Sequence, residues 1–298
     1  MGFTENKYKN IIYIYYMLLT LKLWEKYCHN LCNQDSKYQI VDIFTFNKKL
    51  LDMNYIISLS NKICILLNPD CDFPPPKCTN TYEFDPKYNG LVNICKEEAY
   101  KSKCDYRIID IIEKYNIKIV CYSASVHHTN IVCIPLGVSW QTEINETITT
   151  PVEKDILCYA NFGIPTITRW FGNPRLETYD IIKNKSFVTI ENTQLDTHIR
   201  KTQNNYTNYF EKLKRSRFSI CPRGCGIDSY RVYDSIICNC IPIMLKNEEN
   251  YLYYKKLPIL FIDNYDDLDQ GTLIEALNNI DIQGNKDKLL FEYWQKQI

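Results

Sequence analysis

The chain has 298 residues, too long for one comfortable core and suited to two α/β domains of roughly 150 residues each. Hydrophobic residues make up 45% and charged residues 23%, with 24 Tyr and 9 Gly, which excludes a disordered or fibrous chain. The 35 basic and 35 acidic residues cancel, so no global field recruits nucleic acid or an anionic membrane surface, and a nucleic-acid partner is disfavoured.

At the start of the chain the apolar run Ile11 to Leu21 is broken by Lys22, short of the ~20 residues that span a bilayer. No small-residue cleavage site follows it, and Asn6 stands where the myristoylation pattern needs Ser or Thr. The run reads as a buried first strand or helix, and no integral membrane anchor is expected. Beyond it, Gln39 to Phe46, Tyr55 to Leu59, Lys62 to Leu67, Lys118 to Tyr122 and Ile131 to Ile134 are expected strands, and Tyr106 to Tyr115 has the 3.6-residue period of a helix. Strands alternating with helices predict an α/β domain with a mainly parallel sheet. Asp70 to Pro76, with three successive prolines, is expected as an extended loop bordering a cleft. Pro135-Leu-Gly ends a strand, and the polar stretch Thr142 to Lys154 has no period, which sets a domain boundary between residues 1–145 and 146–298.

The C-terminal half repeats the alternation. Expected strands are Asp155 to Ala160, Phe187 to Glu191, Arg217 to Cys221, Ile241 to Leu245 and Ile259 to Ile262. Expected helices are Leu176 to Lys183, Asn204 to Arg215, Ser229 to Cys238 and Thr272 to Asn279. This βαβαβ order outlines a Rossmann-like nucleotide-binding half, with the last run, Leu289 to Trp294, a helix returning to the first domain. The 14 cysteines contain no C-x-x-C pair and no zinc spacing, and Cys121, Cys133, Cys158 and Cys221 lie in apolar runs where reduced Cys behaves as a small hydrophobe. A reducing cytosolic location is therefore expected. The three Asn-x-Ser/Thr sequons are what chance supplies in so Asn-rich a chain, whose Asn, Lys, Ile and Tyr content is that of an AT-rich genome.

Arg217 to Asn239 reads as strand, glycine-bearing loop and helix, the arrangement that binds anions: a helix N-terminus presents backbone N–H groups, and Gly lets a phosphate approach the backbone. Arg223 and Arg231 add guanidinium forks suited to diphosphate oxygens. Asp234, one turn beyond Arg231, is placed to accept ribose hydroxyls, while Asp228 and Ser229 also read as N-cap residues. Spacing alone leaves a second reading open, in which Gly224 and Gly226 merely turn the chain and Arg231 pairs with Asp234 on a solvated helix face.

The run Ser216-Arg-Phe-Ser-Ile-Cys-Pro-Arg-Gly, then Asp228-Ser-Tyr-Arg-Val-Tyr-Asp-Ser-Ile and Cys240-Ile-Pro-Ile-Met, resembles the signature of exostosin-like (GT47-type) glycosyltransferases. In that family the segment reads strand, C-P-x-G, S-x-R-x-x-E-A and G-C-I-P-V. The likeness runs from Lys214 to Asp263. More loosely, Cys158-Tyr-Ala-Asn-Phe-Gly and Arg175 resemble the first strand and loop of the same domain, and Pro135-Leu-Gly-Val resembles a turn of related viral and bacterial proteins. The resemblance is to a viral member of that family, for which the cytoplasmic location expected above would be the host cytosol.

The resemblance implies a GT-B fold and an inverting, metal-independent transfer from a nucleoside-diphosphate sugar to a glycan, glycoprotein or other hydroxyl acceptor, with no cofactor. Donor binding then falls to Asn161, Arg175, Arg223, Gly224, Gly226, Asp228, Ser229, Tyr230, Arg231 and Asp234. Asp234 stands where the family has a ribose-binding Glu, and Asn239 where it has Gly.

An inverting transfer also needs a general base. Asp70, Asp72, His127 and His128 are the candidates, because they follow expected strands of the first domain, at the cleft. Asp70-Cys-Asp72 also resembles the D-x-D by which metal-dependent GT-A transferases hold Mg²⁺ or Mn²⁺ on the donor. A third reading is a non-catalytic carbohydrate- or nucleotide-sugar-binding protein that keeps the fold. An oxidoreductase is disfavoured, since no G-x-G-x-x-G follows a strand.

Overall fold

A computed structural model describes residues 21–41, 52–66, 82–85, 90–93, 107–122, 124, 127–139, 152–164, 174–191, 203–224, 227–246, 254–255, 257–282, 289 and 291–296. The first sheet is built from β1 (Tyr38–Ile40), β2 (Ile63–Leu66), β5 (Lys118–Cys121) and β6 (Ile131–Cys133), in the order β1-β2-β5-β6 and parallel throughout. A separate antiparallel pair, β3 (Tyr82–Asp85) and β4 (Gly90–Asn93), lies between β2 and β5 in sequence. Helices α1 (Leu21–Gln34), α2 (Met53–Ser58) and α3 (Arg107–Lys114) accompany this half.

β2 is buried along its whole length, as a parallel strand covered on both faces must be. Its side chains alternate between two cores. Ile63 and Ile65 join one cluster, while Cys64 and Leu66 join the cluster formed with Ile56 of α2 and Ile108 and Ile112 of α3. The expected strand over Tyr55 to Leu59 is instead α2. Asp52 caps it by accepting from the N–H groups of Asn54 and Tyr55 at 3.1 and 3.2 Å, and Ile56 and Leu59, three apart, are both buried while Ile57 faces out. So short an apolar run fits either period, and the cap decides.

The second sheet comprises β7 (Ile156–Ala160), β8 (Val188–Ile190), β9 (Ser216–Ile220), β10 (Ile241–Leu245) and β11 (Leu260–Ile262), also parallel, in the order β11-β10-β9-β7-β8. Between these strands run α4 (Pro174–Ile182), α5 (Gln203–Arg215) and α6 (Tyr230–Ile237), followed by α7 (Gln270–Asn279) and α8 (Phe291–Gln295). The protein is therefore an α/β protein with two Rossmann-like parallel sheets. The expected domain boundary near residue 145 lies outside the described residues.

One hydrophobic cluster is shared between the sheets. It contains Ile63, Ile65, Val120, Tyr122, Ile134 and Leu136 together with Ile156, Tyr159, Val232, Tyr233 and Ile236. Leu289 and Trp294, from the last run of the chain, pack into the same cluster. Asn239 has φ 56°, the left-handed conformation that ends α6 after its C-cap Cys238. Asn tolerates that region best after Gly, so Asn239 holds the turn without a glycine.

Candidate functional site

The second sheet reverses direction between β7 and β9: β8 is added on one side of β7, and β9, β10 and β11 on the other. At such a switch point the connections leave in opposite directions and open a crevice outside the carboxyl ends of the strands, where ligands of doubly wound sheets bind. The described strands of the first sheet follow chain order and show no such point among them. Beyond β7 lie Asn161 to Gly163, and beyond β9 lie Cys221 to Gly224, so these two loops flank the crevice.

Three arginines gather at those loops, Arg223 within one of them and Arg175 and Arg231 reaching them from helices. Arg231, in the first turn of α6, reaches across the switch point and donates from Nε to the carbonyl oxygen of Asn161 at 2.7 Å, with its guanidinium 5.9 Å from the ring centroid of Phe162. Arg175, in α4, donates from Nε to the carbonyl oxygen of Arg223 at 3.2 Å. A Cβ built on Gly224 would lie 2.9 Å from Nη2 of Arg175. The missing side chain at Gly224 thus makes room for Arg175, where the sequence suggested room for a phosphate. Gly226 lies outside the described residues.

The N-terminus of α6 is capped from within. Ser229 is the N-cap, its hydroxyl accepts from the N–H of Arg231 at 3.4 Å, and its carbonyl accepts from Val232 at 3.0 Å. The N–H of Ser229 goes to Oδ1 of Asp228 at 2.7 Å. Of the two readings of Asp228 and Ser229, these bonds realise the capping one. Half-buried Tyr230 packs against the shared core.

Asp228 and Asp234 both turn toward the first half of the chain. Oδ2 of Asp228 accepts from the Leu136 N–H at 2.9 Å and from the Tyr233 hydroxyl at 2.8 Å. Oδ1 of Asp234 accepts from the Ser139 N–H at 2.9 Å, and its Oδ2 from the Ser139 hydroxyl at 2.7 Å and the Tyr209 hydroxyl at 3.4 Å. Gly137, with φ 78°, turns the strand-ending segment so that Leu136 and Ser139 address two carboxylates of one helix start. Burial pushes both carboxyls up, Asp234 to about 6, against the opposing bonds from Leu136, Tyr233 and Ser229 at Asp228 and from Ser139 and the charge of Arg231 at Asp234. Arg231 and Asp234 are buried, which removes the reading that places them on a solvated face.

At the other side of β7 a chain of hydrogen bonds leaves the crevice. Nδ2 of Asn161 donates to the Tyr159 hydroxyl at 2.8 Å, which donates to Oε2 of Glu191 at 3.1 Å, and Oε1 of Glu191 pairs with Lys212 at 3.2 Å. Sequence reasoning missed Glu191, Tyr159, Lys212 and Ser139. The position of Glu191 at the end of the second strand of a βαβ unit was the available signal.

The candidates of the first half are placed differently. Asp70 and Asp72 lie outside the described residues. Nε2 of His128 is 2.9 Å from Glu113, its Nδ1 accepts from the Asn130 N–H at 3.1 Å, and the Asn130 carbonyl accepts from Ile119 at 2.7 Å. His127 and His128 thus sit in the turn that leads into β6, by the amino ends of the strands, opposite the edge where Ile134 to Ser139 meet α6. Among the described residues no group of three or more His, Cys, Asp or Glu is gathered to hold a metal ion. Among them, too, no helix is long and apolar enough to cross a membrane. Cys121, Cys133, Cys158 and Cys221 are all buried in the sheet cores.

Residues 179–258 match the Exostosin GT47 domain, a span that runs from within α4 to the approach of β11 and contains Glu191, Arg223, Asp228, Arg231 and Asp234. No curated protein matches the chain. Among solved structures it is similar to an alpha1,3-fucosyltransferase, at 12% identity and a TM-score of 0.34, over 86% of this chain and 87% of that one.

Proposed function

We propose that the protein is a glycosyltransferase that binds a nucleoside-diphosphate sugar at the switch-point crevice of its second sheet and transfers the sugar to a glycan or other hydroxyl acceptor. The observation that carries this reading is the gathering of Arg175, Arg223 and Arg231 at the carboxyl ends of β7 and β9. The match of residues 179–258 to the Exostosin GT47 domain supplies the reaction class. In a GT-B arrangement of residues 1–145 and 146–298 the acceptor meets the donor between the halves.

Guanidinium groups neutralise the departing diphosphate as charge develops on it, so no metal is required at that task, and inversion is what the resemblance to exostosin-like transferases implies. Arg231 is oriented for this by its Nε bond to Asn161, and Arg175 by its bond to the Arg223 carbonyl. Asp228 and Asp234 act as supports of α6, and the ribose role passes from Asp234. The cytosol is the proposed place of action, in keeping with the cysteines buried in the described sheet cores.

The test is a thermal-shift screen against UDP, GDP, CMP and their sugar conjugates, with EDTA and with Mn²⁺. A ligand that binds only the folded state raises its stability by about 2.7 kcal/mol at a hundredfold excess over Kd. Stabilisation by one nucleoside diphosphate in EDTA is the expected result. Stabilisation only with Mn²⁺ would move the donor site to Asp70 and Asp72, and binding without turnover on any acceptor would leave a binding protein.

A further inference from the structure

We infer that Glu191 is the carboxylate that accepts the ribose hydroxyls of the bound nucleotide, a step that rests on the nucleotide-binding reading above. In dinucleotide-binding doubly wound sheets the acidic residue that holds a ribose stands at the carboxyl end of the second strand, beside the strand whose loop meets the phosphates, and the same position is available here without the glycine fingerprint. Glu191 occupies that place. It follows β8 directly, and its N–H continues the ladder to the Ala160 carbonyl of β7 at 2.9 Å.

Among the described residues the other carboxylates at this edge are engaged or remote. Asp228 and Asp234 accept from Leu136, Tyr233, Ser139 and Tyr209 and are 4% and 2% exposed. Asp263 follows β11, the strand at the far edge of the sheet. The Glu191 side chain keeps 28% of its surface open.

Its orientation is set from the crevice outward. An amide Nδ2 can only donate, so the Tyr159 hydroxyl accepts from Asn161 and must pass its own proton to Oε2 of Glu191. The same Asn161 receives Arg231 at its carbonyl, so one residue fixes both the phosphate-facing cation and the ribose-facing anion. Lys212 holds Oε1 and balances the charge, which keeps Glu191 from repelling the diphosphate. Each carboxylate oxygen still has a lone-pair direction for a hydroxyl of the ligand.

The experiment measures Kd of the full chain for UDP, GDP, CDP and ADP, for their 2′-deoxy counterparts and for inorganic pyrophosphate, in wild type, Glu191→Ala and Glu191→Gln. Wild type should bind the preferred ribonucleotide about tenfold more tightly than its deoxy form, the worth of one hydrogen bond to a charged group. Glu191→Ala should bring that ratio below about twofold with pyrophosphate affinity unchanged, and Glu191→Gln, which keeps an acceptor for Tyr159 and so guards against a folding defect, should fall between. A wild-type ratio near one, or a ratio that survives both substitutions, overturns the role of Glu191 while the nucleotide site stands. Failure of wild type to bind any nucleotide or pyrophosphate overturns the nucleotide-binding reading itself, and Glu191 with it.

Discussion

The carboxylate of Asp234 accepts both the backbone N–H and the hydroxyl of Ser139, at 2.9 and 2.7 Å, across 95 residues of chain. A side chain that sequence placed on a ribose thus ties the segment after β6 to the helix that carries Arg231. The arrangement has a pH signature, because burial raises the Asp234 carboxyl from 3.8 to about 6. The sign follows from proton linkage: the stability this group contributes is complete below pH 3.8 and is lost as pH rises through about 6. Asp234→Asn cannot titrate, and its amide can still accept from the Ser139 N–H and donate to the Ser139 hydroxyl. Between pH 5 and 7.5, wild type should lose about 1 to 2 kcal/mol relative to Asp234→Asn, read from urea unfolding of both proteins at the two pH values. Parallel pH profiles would show that Asp234 keeps an ordinary carboxyl.

Arg231 bonds the Asn161 carbonyl through Nε, and the terminal fork of its guanidinium is the part suited to a diphosphate. Lysine has one nitrogen and cannot serve the Asn161 carbonyl and a ligand with fixed geometry at once. Arg231→Lys should weaken nucleoside-diphosphate binding by at least about tenfold, a loss of roughly 1.4 kcal/mol, measured by calorimetry. Retained charge beside Asp234 should keep the unfolding midpoint near that of wild type. Unchanged affinity would remove Arg231 from the donor site.

Most elements were legible because their apolar period, or an unbroken buried run such as β2, agrees with the fold. The α6 start was legible too, since Ser229 caps it and Asn239 ends it in the left-handed region. Tyr55 to Leu59 was misread because five apolar-rich residues satisfy two periods, and the deciding cap, Asp52, lies outside the run. The site was half legible. Arg223 and Arg231 announce themselves by charge beside glycine, but what Asp228 and Asp234 bind is set by residues 92 and 95 positions away, which no local pattern encodes. For Glu191 the strand-end position was legible but its surroundings were not: its partners Tyr159 and Lys212 come from β7 and α5, brought together only by the sheet order.

Gly224 offers a substitution that separates binding from folding. Its backbone is not in the left-handed region, so alanine costs no backbone strain there, but the new Cβ would meet Nη2 of Arg175 at 2.9 Å. That atom is the far end of a flexible side chain and can move. Gly224→Ala should therefore change stability by less than about 1 kcal/mol while displacing Arg175 from the Arg223 carbonyl and weakening nucleotide binding. Thermal melts and Kd values on the same preparation test it, and equal affinity would show that Arg175 does not face the ligand.

Lys154 is the least expected structural residue of the second half. It stands before β7, where the sequence reads as polar linker, yet its Nζ donates to the carbonyls of Ser216, Lys214 and Cys238 at 2.7, 3.0 and 3.3 Å. Lys214 lies in the last turn of α5 and Cys238 is the C-cap of α6, so one ammonium satisfies carbonyls at the ends of two helices, where the helix dipole also favours a cation. Burial lowers the Lys154 ammonium below its ordinary value, the cost of that central position. Lys154→Met keeps the aliphatic stem and removes the donors, leaving the three carbonyls without this charged partner. The expected loss is about 2 to 4 kcal/mol in urea unfolding, with nucleotide affinity of the folded protein unaltered, because these carbonyls lie at the opposite end of α6 from Arg231. A loss below about 0.5 kcal/mol would mean that water replaces the ammonium at this junction.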